Sequence, residues 1–162
     1  SANGIGTARS VATAYGELAA GSPCLGIGAD TLTELSRPAQ DPRLGRFDEV
    51  LRQESRYSLG YCKPWPGFEF GSPRAFGTPG AGGSFGFADP ELGLGFCYAM
   101  NRMDFYLVSD PRELALLVAV GDIGGFWSSG DRILAGERQP TRERTEERTD
   151  CLCYRRQRQG NG

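Results

Sequence analysis

Residues 74–103, RAFGTPGAGGSFGFADPELGLGFCYAMNRM, contain the pattern that decides the fold. Two runs rich in aromatic and apolar residues, Ser84–Ala88 and Leu94–Met100, flank the segment Asp89-Pro90-Glu91-Leu92-Gly93. Proline presets the first dihedral angle of a tight turn, and glycine relieves strain at its exit. The stretch therefore predicts an antiparallel hairpin.

Shorter strands are expected before this hairpin. Tyr57–Cys62 and Arg74–Gly77 are aromatic and apolar runs bounded by glycine and proline. Within the hairpin itself, Gly86 and Gly95 weaken the strands unless another backbone or a ligand approaches closely there. The sequence thus predicts a small antiparallel sheet of about three strands.

Two helices have clear end signals. Residues 7–20, TARSVATAYGELAA, begin with a threonine that can cap the first turn and are followed by Gly21, a natural left-handed stop. The second helix opens at Asp110-Pro111-Arg112-Glu113, with the aspartate as N-cap and a glutamate placed to bond back to it. Its apolar run Leu114–Val120 is wide enough to dock on a sheet. Together with the strands, these helices indicate an α+β fold.

Composition excludes several classes of protein. The chain has 162 residues, of which 39% are hydrophobic and 23% charged, as expected for one folded domain and not for a coiled coil or a wholly disordered chain. No uninterrupted apolar run approaches the ~18 residues of a membrane span. A formal net charge of −2 offers no general reason to bind nucleic acid, so neither a membrane span nor a nucleic-acid partner is expected.

The absence of histidine excludes much active-site chemistry. Without an imidazole, Ser-His-Asp catalysis, Cys-His catalysis and His-ligated zinc are impossible within this sequence. The five cysteines are odd in number and widely spaced, which indicates thiols and not a disulfide scaffold. Cys151-x-Cys153 could hold a soft metal or form a redox pair, but no second cysteine pair supports it. We therefore predict no metal and no cofactor.

The glycine-rich segment contains one match to a catalytic motif, which we interpret as accidental. Gly82-Gly83-Ser84-Phe85-Gly86 fits the G-x-S-x-G nucleophile elbow, but that mechanism needs a histidine and a serine between a strand and a helix. Ser84 precedes a predicted strand instead. An enzyme that uses Ser84 with an unusual base is the least supported hypothesis.

The final part of the chain differs in composition. After Gly121 the sequence becomes rich in glycine and serine, and residues 137–150 carry nine charges in fourteen positions. Such a segment cannot offset its ordering entropy by burying apolar surface. We therefore predict a folded region over residues 1–120 and a disordered carboxy-terminal tail over 121–162.

The 74–103 block resembles the carboxy-terminal part of the serine β-lactamase and penicillin-binding-protein superfamily, in its class C-like branch of β-lactamase-related hydrolases and esterases. In that family a strand with the third active-site motif leads through a glycine-rich turn to an F-x-D-P hairpin and a strand ending in Met-Asn-Arg-Met. The resemblance continues through residues 104–113 and back to residues 3–21, so it covers roughly residues 1–115. It implies a partial β-lactamase/transpeptidase-like fold, with an antiparallel sheet flanked by helices.

The resemblance also implies a chemistry, which is serine hydrolysis of an ester or amide through an acyl-enzyme. Thr78-Pro79-Gly80 occupies the position of the third motif. By this resemblance, Gly80 lets the substrate backbone lie against the strand, and the N–H of Ala81 is one of two oxyanion-hole donors. Thr78 stands where the family has a cationic or imidazole residue, so electrostatic help to a carboxylated substrate is lost or comes from elsewhere.

The family's other two motifs are missing from this sequence. The only lysine, Lys63, has Gly60 three residues before it, so no Ser-x-x-Lys exists. Tyr98 and Asn101 are one residue too far apart to form Tyr-x-Asn. The resemblance therefore predicts no complete catalytic set here, and a fragment that is inactive alone. Its parent would act on a small-molecule ester or amide, or a peptide-like substrate.

One alternative stays open at this point. The chain could be complete and serve as a non-catalytic binding module that uses the glycine-rich cleft around residues 77–86. Neither the cellular compartment nor the oligomeric state can be inferred from the sequence.

Overall fold

Helices and an antiparallel sheet make up the computed structural model, which describes residues 4–21, 23–106, 108–124 and 151–156. In chain order the elements are α1 (Ala8–Ala20), a 3-10 turn (Pro23–Leu25), α2 (Ala29–Ser36), β1 (Phe47–Asp48), β2 (Gln53–Glu54), β3 (Tyr57–Ser58), β4 (Tyr61–Cys62), β5 (Phe76–Gly80), β6 (Ser84–Asp89), β7 (Leu94–Ala99), α3 (Pro111–Gly124) and β8 (Cys151–Arg156). The predicted α+β class is confirmed.

The strands form two antiparallel sheets. β1 and β2 pair with each other, and β3 to β8 form a six-stranded sheet in sequential order. The predicted hairpin is confirmed as β6 and β7, in which Phe85 lies opposite Tyr98 and Asp89 lies opposite Leu94. Because consecutive strands are neighbours throughout, every connection in the larger sheet before β8 is local except that from β4 to β5.

The turn between β6 and β7 is organised by the buried carboxylate of Asp89. This carboxylate accepts hydrogen bonds from the backbone N–H groups of Glu91 (3.0 Å) and Leu92 (3.2 Å). It also accepts both the backbone N–H and the hydroxyl of Ser72, in the segment before β5. Aspartate therefore both closes the predicted turn and ties it to the preceding loop.

One face of the sheet carries an aromatic core. Because strand side chains alternate between faces, β6 and β7 place their large residues on the same side. The helix α3 docks there through Leu117 and Val120, as its apolar run predicted. The buried members of this core include Trp65, Phe68, Phe70, Phe85, Phe87, Leu94, Phe96 and Tyr98.

The opposite face is covered by α1. Its start has the predicted cap, in which the hydroxyl of Thr7 accepts the Ser10 N–H, and it ends at Gly21 with a left-handed φ of 68°. The sheet glycines Gly86 and Gly95 lie under α1, where a β-carbon would meet Tyr15 and the backbone of Gly16, respectively. At both glycines, therefore, it is α1 that approaches the sheet closely.

Some predicted bounds were wrong. The strand predicted over Arg74–Gly77 starts and ends later, as β5, because Arg74 lies in the turn that Ser72 begins. The sheet also has more strands than the three predicted. Helix α3 continues to Gly124, since one internal glycine costs only ~1 kcal/mol and does not by itself stop a helix.

The predicted tail lies mainly outside the described residues. Two parts of it are described: residues 121–124 continue α3, and Cys151–Arg156 forms β8, which pairs with β7 from Leu94↔Arg156 to Ala99↔Cys151. This strand was not predicted from the sequence. It forms by pairing with the free edge of β7, which is distant in the chain. The boundary at residue 120 and the disorder of residues 125–150 and 157–162 stay predictions. Within the described ranges, no helix combines the length and the hydropathy of a bilayer-spanning segment.

Candidate functional site

The three residues of the predicted motif lie on an open strand edge. Thr78, Pro79 and Gly80 form the second half of β5. Among the described residues, β4 pairs with β5 only at Cys62↔Gly77, so β5 has no neighbour on that side beyond Gly77. Proline lacks an N–H and is confined to such edges within sheets. The arrangement leaves a free backbone edge along which an extended ligand can lie.

Thr78 is directed towards α1. Its side chain is exposed and hydrogen-bonded to Tyr15, which lies above Gly86 on the neighbouring strand. Burial raises the pKa of Tyr15 to about 12, against the opposing effect of the Thr78 hydrogen bond. Tyr15 is therefore a neutral phenol at physiological pH, and the motif presents a pair of uncharged hydroxyl groups.

The single lysine lies on the same side of the sheet but is covered. Lys63 is 1% exposed, and its Nζ donates a hydrogen bond to the Leu35 carbonyl at the end of α2. The ammonium also stands 5.0 Å from the ring centroid of Phe76, the first residue of β5. Burial lowers the pKa of Lys63 to about 8, with Cys62 acting in the opposite direction. Lys63 does not reach the open edge of β5.

In the turn after β5, the backbone N–H groups of both glycines are hydrogen-bonded, whereas that of Ala81 is not used among the described residues. Gly82 donates its N–H to the Tyr106 carbonyl (2.9 Å), and Gly83 donates to the Gly80 carbonyl (3.1 Å). The Gly82 carbonyl accepts the N–H of Asp104 (3.2 Å). Among the described residues, none of the turn's backbone hydrogen bonds uses the N–H of Ala81, a residue that is exposed. This amide can therefore donate to a ligand.

Ser84 does not form a nucleophile elbow. It is the first residue of β6 and faces Gly80 across the strand pair, with no helix following it. A β-carbon on Gly80 would lie 2.4 Å from the Ser84 hydroxyl oxygen, so this glycine leaves the space that the hydroxyl occupies. This geometry agrees with the prediction that the G-x-S-x-G match is not a nucleophile elbow.

Comparisons with known proteins found similarity to a curated protein and to a solved structure. The chain is 36% identical over 106 residues to "Esterase/beta-lactamase LipL" of Mycobacterium tuberculosis (strain ATCC 25618 / H37Rv), which covers 63% of this chain and 23% of that protein. A crystal structure of a family VIII carboxylesterase matches with a TM-score of 0.61 and 39% identity. This chain carries part of a β-lactamase-related hydrolase fold. The predicted resemblance is confirmed.

The extent of both matches is limited. The structural match covers 70% of this chain and 31% of the carboxylesterase. The chain thus spans less than a third of the length of either relative. No protein-family model matches it.

A second concave site lies away from residues 78–81. It is an open cavity of about 330 Å³. Its walls are Gln53, Glu54, Trp65, Pro66, Gly67, Phe68, Val108 and Ser109. None of residues 78–81 lines it. Trp65 and Phe68 also belong to the buried core.

Two of the described thiols, those of Cys62 and Cys97, are buried and therefore poorly placed to reach a substrate, whereas Cys24 is exposed. Cys62 is fully buried, and its burial raises the pKa of the thiol to about 12. Cys97 is buried beneath α1. Within the described ranges, no three His, Cys, Asp or Glu side chains lie close enough together to hold a metal ion.

Sequence reasoning missed two residues beside the motif. Tyr15 was treated only as part of the apolar face of α1, although it contacts Thr78. Arg112 was treated only as an early helix position, although its guanidinium reaches the Gly82 carbonyl. Both contacts join elements that are distant in the sequence, so no spacing pattern predicts them. A polar group on the apolar face of α1 was the single available signal.

Proposed function

We propose that this chain supplies one wall of the catalytic cleft of a β-lactamase-related serine esterase. In this proposal the Ala81 N–H is one of two oxyanion-hole donors, and Thr78, Pro79 and Gly80 form the edge along which the substrate lies. The observation that carries the proposal is the open edge of β5, followed directly by an exposed amide outside the hydrogen bonds of its turn. The two relatives, named as an esterase and a carboxylesterase, support the reaction class.

The proposed role is to stabilise charge that develops during acyl transfer. Attack on an ester carbonyl places negative charge on its oxygen, and preorganised N–H donors lower the energy of that state. The nucleophile and its base would come from Ser-x-x-Lys and Tyr-x-Asn, which this sequence lacks. An oxyanion donor without a nucleophile has nothing to stabilise, so the sequence printed here is proposed to be inactive alone.

The charges around the motif favour an uncharged ester as substrate. Thr78 is hydrogen-bonded to the neutral Tyr15, and the ammonium of Lys63 is buried under the Leu35 carbonyl. A carboxylate on the substrate would therefore meet hydroxyl groups at Thr78, and the guanidinium of Arg112 beside the turn is already paired with Asp110. We propose that carboxylated substrates, such as β-lactams, react less efficiently than neutral short-chain esters.

The first test is an activity assay with and without the missing motifs. A fluorogenic short-chain ester and a chromogenic β-lactam are offered to this chain alone and to this chain joined to an upstream segment that contains both motifs. We expect turnover of the ester only in the joined protein. Turnover by the chain alone that Ser84→Ala abolishes would overturn the proposal.

A second test concerns the donor itself. In the joined protein, Ala81→Pro removes the N–H, whereas Ala81→Gly keeps it and serves as the matched control. Loss of one oxyanion donor lowers kcat by roughly 10²- to 10³-fold in other hydrolases. We expect such a loss for Ala81→Pro and near-normal kcat for Ala81→Gly.

The alternative is a non-catalytic binding module that uses residues 77–86. The open edge of β5 is compatible with it, because a free edge can bind an extended peptide by adding a strand. The joined protein discriminates the two functions. A binding module gains no esterase activity from the added motifs, whereas the proposed esterase wall does.

A further inference from the structure

The turn after β5 is held from outside the sheet by one arginine. Arg112, in the first turn of α3, donates through Nη2 to the Gly82 carbonyl (3.4 Å) and through Nη1 to the Arg102 carbonyl (2.7 Å). It thereby links the turn before β6 to the loop after β7. The same carbonyl of Gly82 also accepts the N–H of Asp104, so this peptide group is held from two directions.

The guanidinium is itself fixed by a buried carboxylate. Asp110 is 1% exposed and accepts hydrogen bonds from Arg112 Nε (3.0 Å) and Nη2 (2.6 Å). Burial opposes ionisation of Asp110, but the hydrogen bonds from Arg112 outweigh it and lower the pKa of the carboxyl. A bidentate pair of this kind restricts the orientation of the arginine as well as its position.

The turn is shaped to receive this pair. Gly83 has a φ of 104°, and a β-carbon on it would lie 2.2 Å from Asp110 Oδ2. The carboxylate therefore occupies the space that any larger residue at this position would need. Gly82 has a φ of 96°, and a β-carbon on it would lie 2.9 Å from the methyl carbon of Met103. The two glycines let α3 and the loop after β7 approach the backbone that follows Ala81.

We infer that Arg112 is a positioning residue: held by Asp110, it fixes the Gly82–Gly83 peptide group, whose N–H bonds to the Gly80 carbonyl (3.1 Å), and so orients the Gly80–Ala81 peptide group that carries the Ala81 N–H. The inference rests on the proposed function only in assigning the Ala81 N–H the role of an oxyanion-hole donor. The hydrogen bonds that position it are properties of the fold. Arginine is needed for its geometry, because a lysine keeps the charge but cannot donate to Asp110, Gly82 and Arg102 together.

The test measures amide hydrogen exchange in the full chain. The reporters are the N–H groups of Gly82 and Asp104, which are bonded within the turn and the loop. In both Arg112→Lys and Arg112→Met we expect their exchange to accelerate at least tenfold, while amides in the β6–β7 hairpin keep their rates. Arg46→Lys is the matched control, because Arg46 forms a similar bidentate pair with Asp41 (2.5 and 2.6 Å) that does not involve the turn.

Three results would overturn the inference. One is an unchanged exchange rate at Gly82 and Asp104 in Arg112→Lys. Another is an equal acceleration throughout the chain, which would indicate global destabilisation. A third is acceleration in Arg112→Met that lysine fully reverses, since charge alone would then suffice. If Arg112→Met leaves Asp110 unpaired and the protein unfolded, the double variant Asp110→Asn/Arg112→Gln removes both charges and serves in its place.

A kinetic measurement separates this inference from the proposed function. In the joined protein of the activity assay, Arg112→Lys is expected to lower kcat with little change in KM, because the amide acts in the transition state. Accelerated exchange with an unchanged kcat would support positioning by Arg112 but contradict the oxyanion role of Ala81. Unchanged exchange would contradict the inference whatever the kinetics.

Discussion

Gly95 of β7 is in backbone contact with Gly16 of α1. A β-carbon built on Gly95 would lie 2.2 Å from the Gly16 amide nitrogen and 2.5 Å from the Ala12 carbonyl oxygen. The helix therefore lies as close to the sheet as two glycines allow. This distance also places Tyr15 over Gly86, which pairs with Thr78, so the glycine contact determines which helical residue reaches the motif.

Replacement of Gly95 by alanine is expected to destabilise the protein by about 2–3 kcal/mol, at the upper end for overpacking, because the colliding atoms are backbone and cannot rotate away. Urea unfolding measures this change. Gly4→Ala is the control, since nothing lies within 4 Å of a β-carbon there. A loss of stability no larger than that of the control would show that α1 can move away from the sheet at little cost.

Glu113 makes stability depend on pH in the acid-to-neutral range. Its carboxyl is 1% exposed, and Oε1 has no hydrogen-bond partner among the described residues. Burial, aided by the charge of Asp110, raises the pKa of Glu113 from 4.5 to about 8. Between these values the folded state keeps a proton that the unfolded state has released. The free energy of unfolding should therefore fall as pH rises, by up to about 1.4 kcal/mol per pH unit.

Glu113→Gln should remove this fall. Glutamine keeps an oxygen that can accept the Asp110 N–H at the start of α3, so the cap is preserved. Stability is measured by urea unfolding across the interval from about pH 4.5 to 8. The exposed Glu91 supplies the control, Glu91→Gln, which should leave the slope of the wild-type protein in place. Identical slopes for wild type and Glu113→Gln would contradict the prediction.

Lys63 should have the opposite pH dependence in the alkaline range. Its pKa falls from 10.5 to about 8 in the folded state because of burial. Between these pH values the unfolded state holds a proton that the folded state has lost, so the free energy of unfolding increases as pH rises. Below pH 8 the folded protein bears the full cost of the buried charge.

Lys63→Met tests this directly. The two groups that contact the ammonium, the Leu35 carbonyl and the Phe76 ring, carry no negative charge, and methionine fills a similar volume without one. We expect the variant to be at least as stable as wild type at pH 7. Its advantage should shrink between about pH 8 and 10.5. The difference between the two proteins is the measured quantity, because titrations of groups that do not interact with Lys63 then cancel. A variant that is less stable at pH 7 would refute the prediction.

The parts of the fold that were predicted correctly depend on neighbours in the sequence. The turn after Asp89 and the cap of α3 each require a few residues in fixed order. The turn lies where it was predicted, and the cap has the predicted hydrogen bonds. The position of Thr78, Pro79 and Gly80 on a strand came from the family resemblance and not from periodicity. Their proposed contact with substrate stays a prediction. Strand β8 could not be predicted, because it depends on the free edge of β7.

The sequence alone determined three properties of this protein: helices with definite ends, a hairpin whose strands and turn contain glycine, and the absence of a histidine for catalysis. These properties follow from local backbone preferences and from composition, which do not depend on folding. Only the tertiary structure decided that Tyr15 meets Thr78, that Lys63 is buried beneath α2, and that Arg112 holds the turn beside Ala81. Each of these contacts joins separate elements, and their geometry is set by how closely helices and strands pack. That packing depends on the shapes of all the buried side chains together.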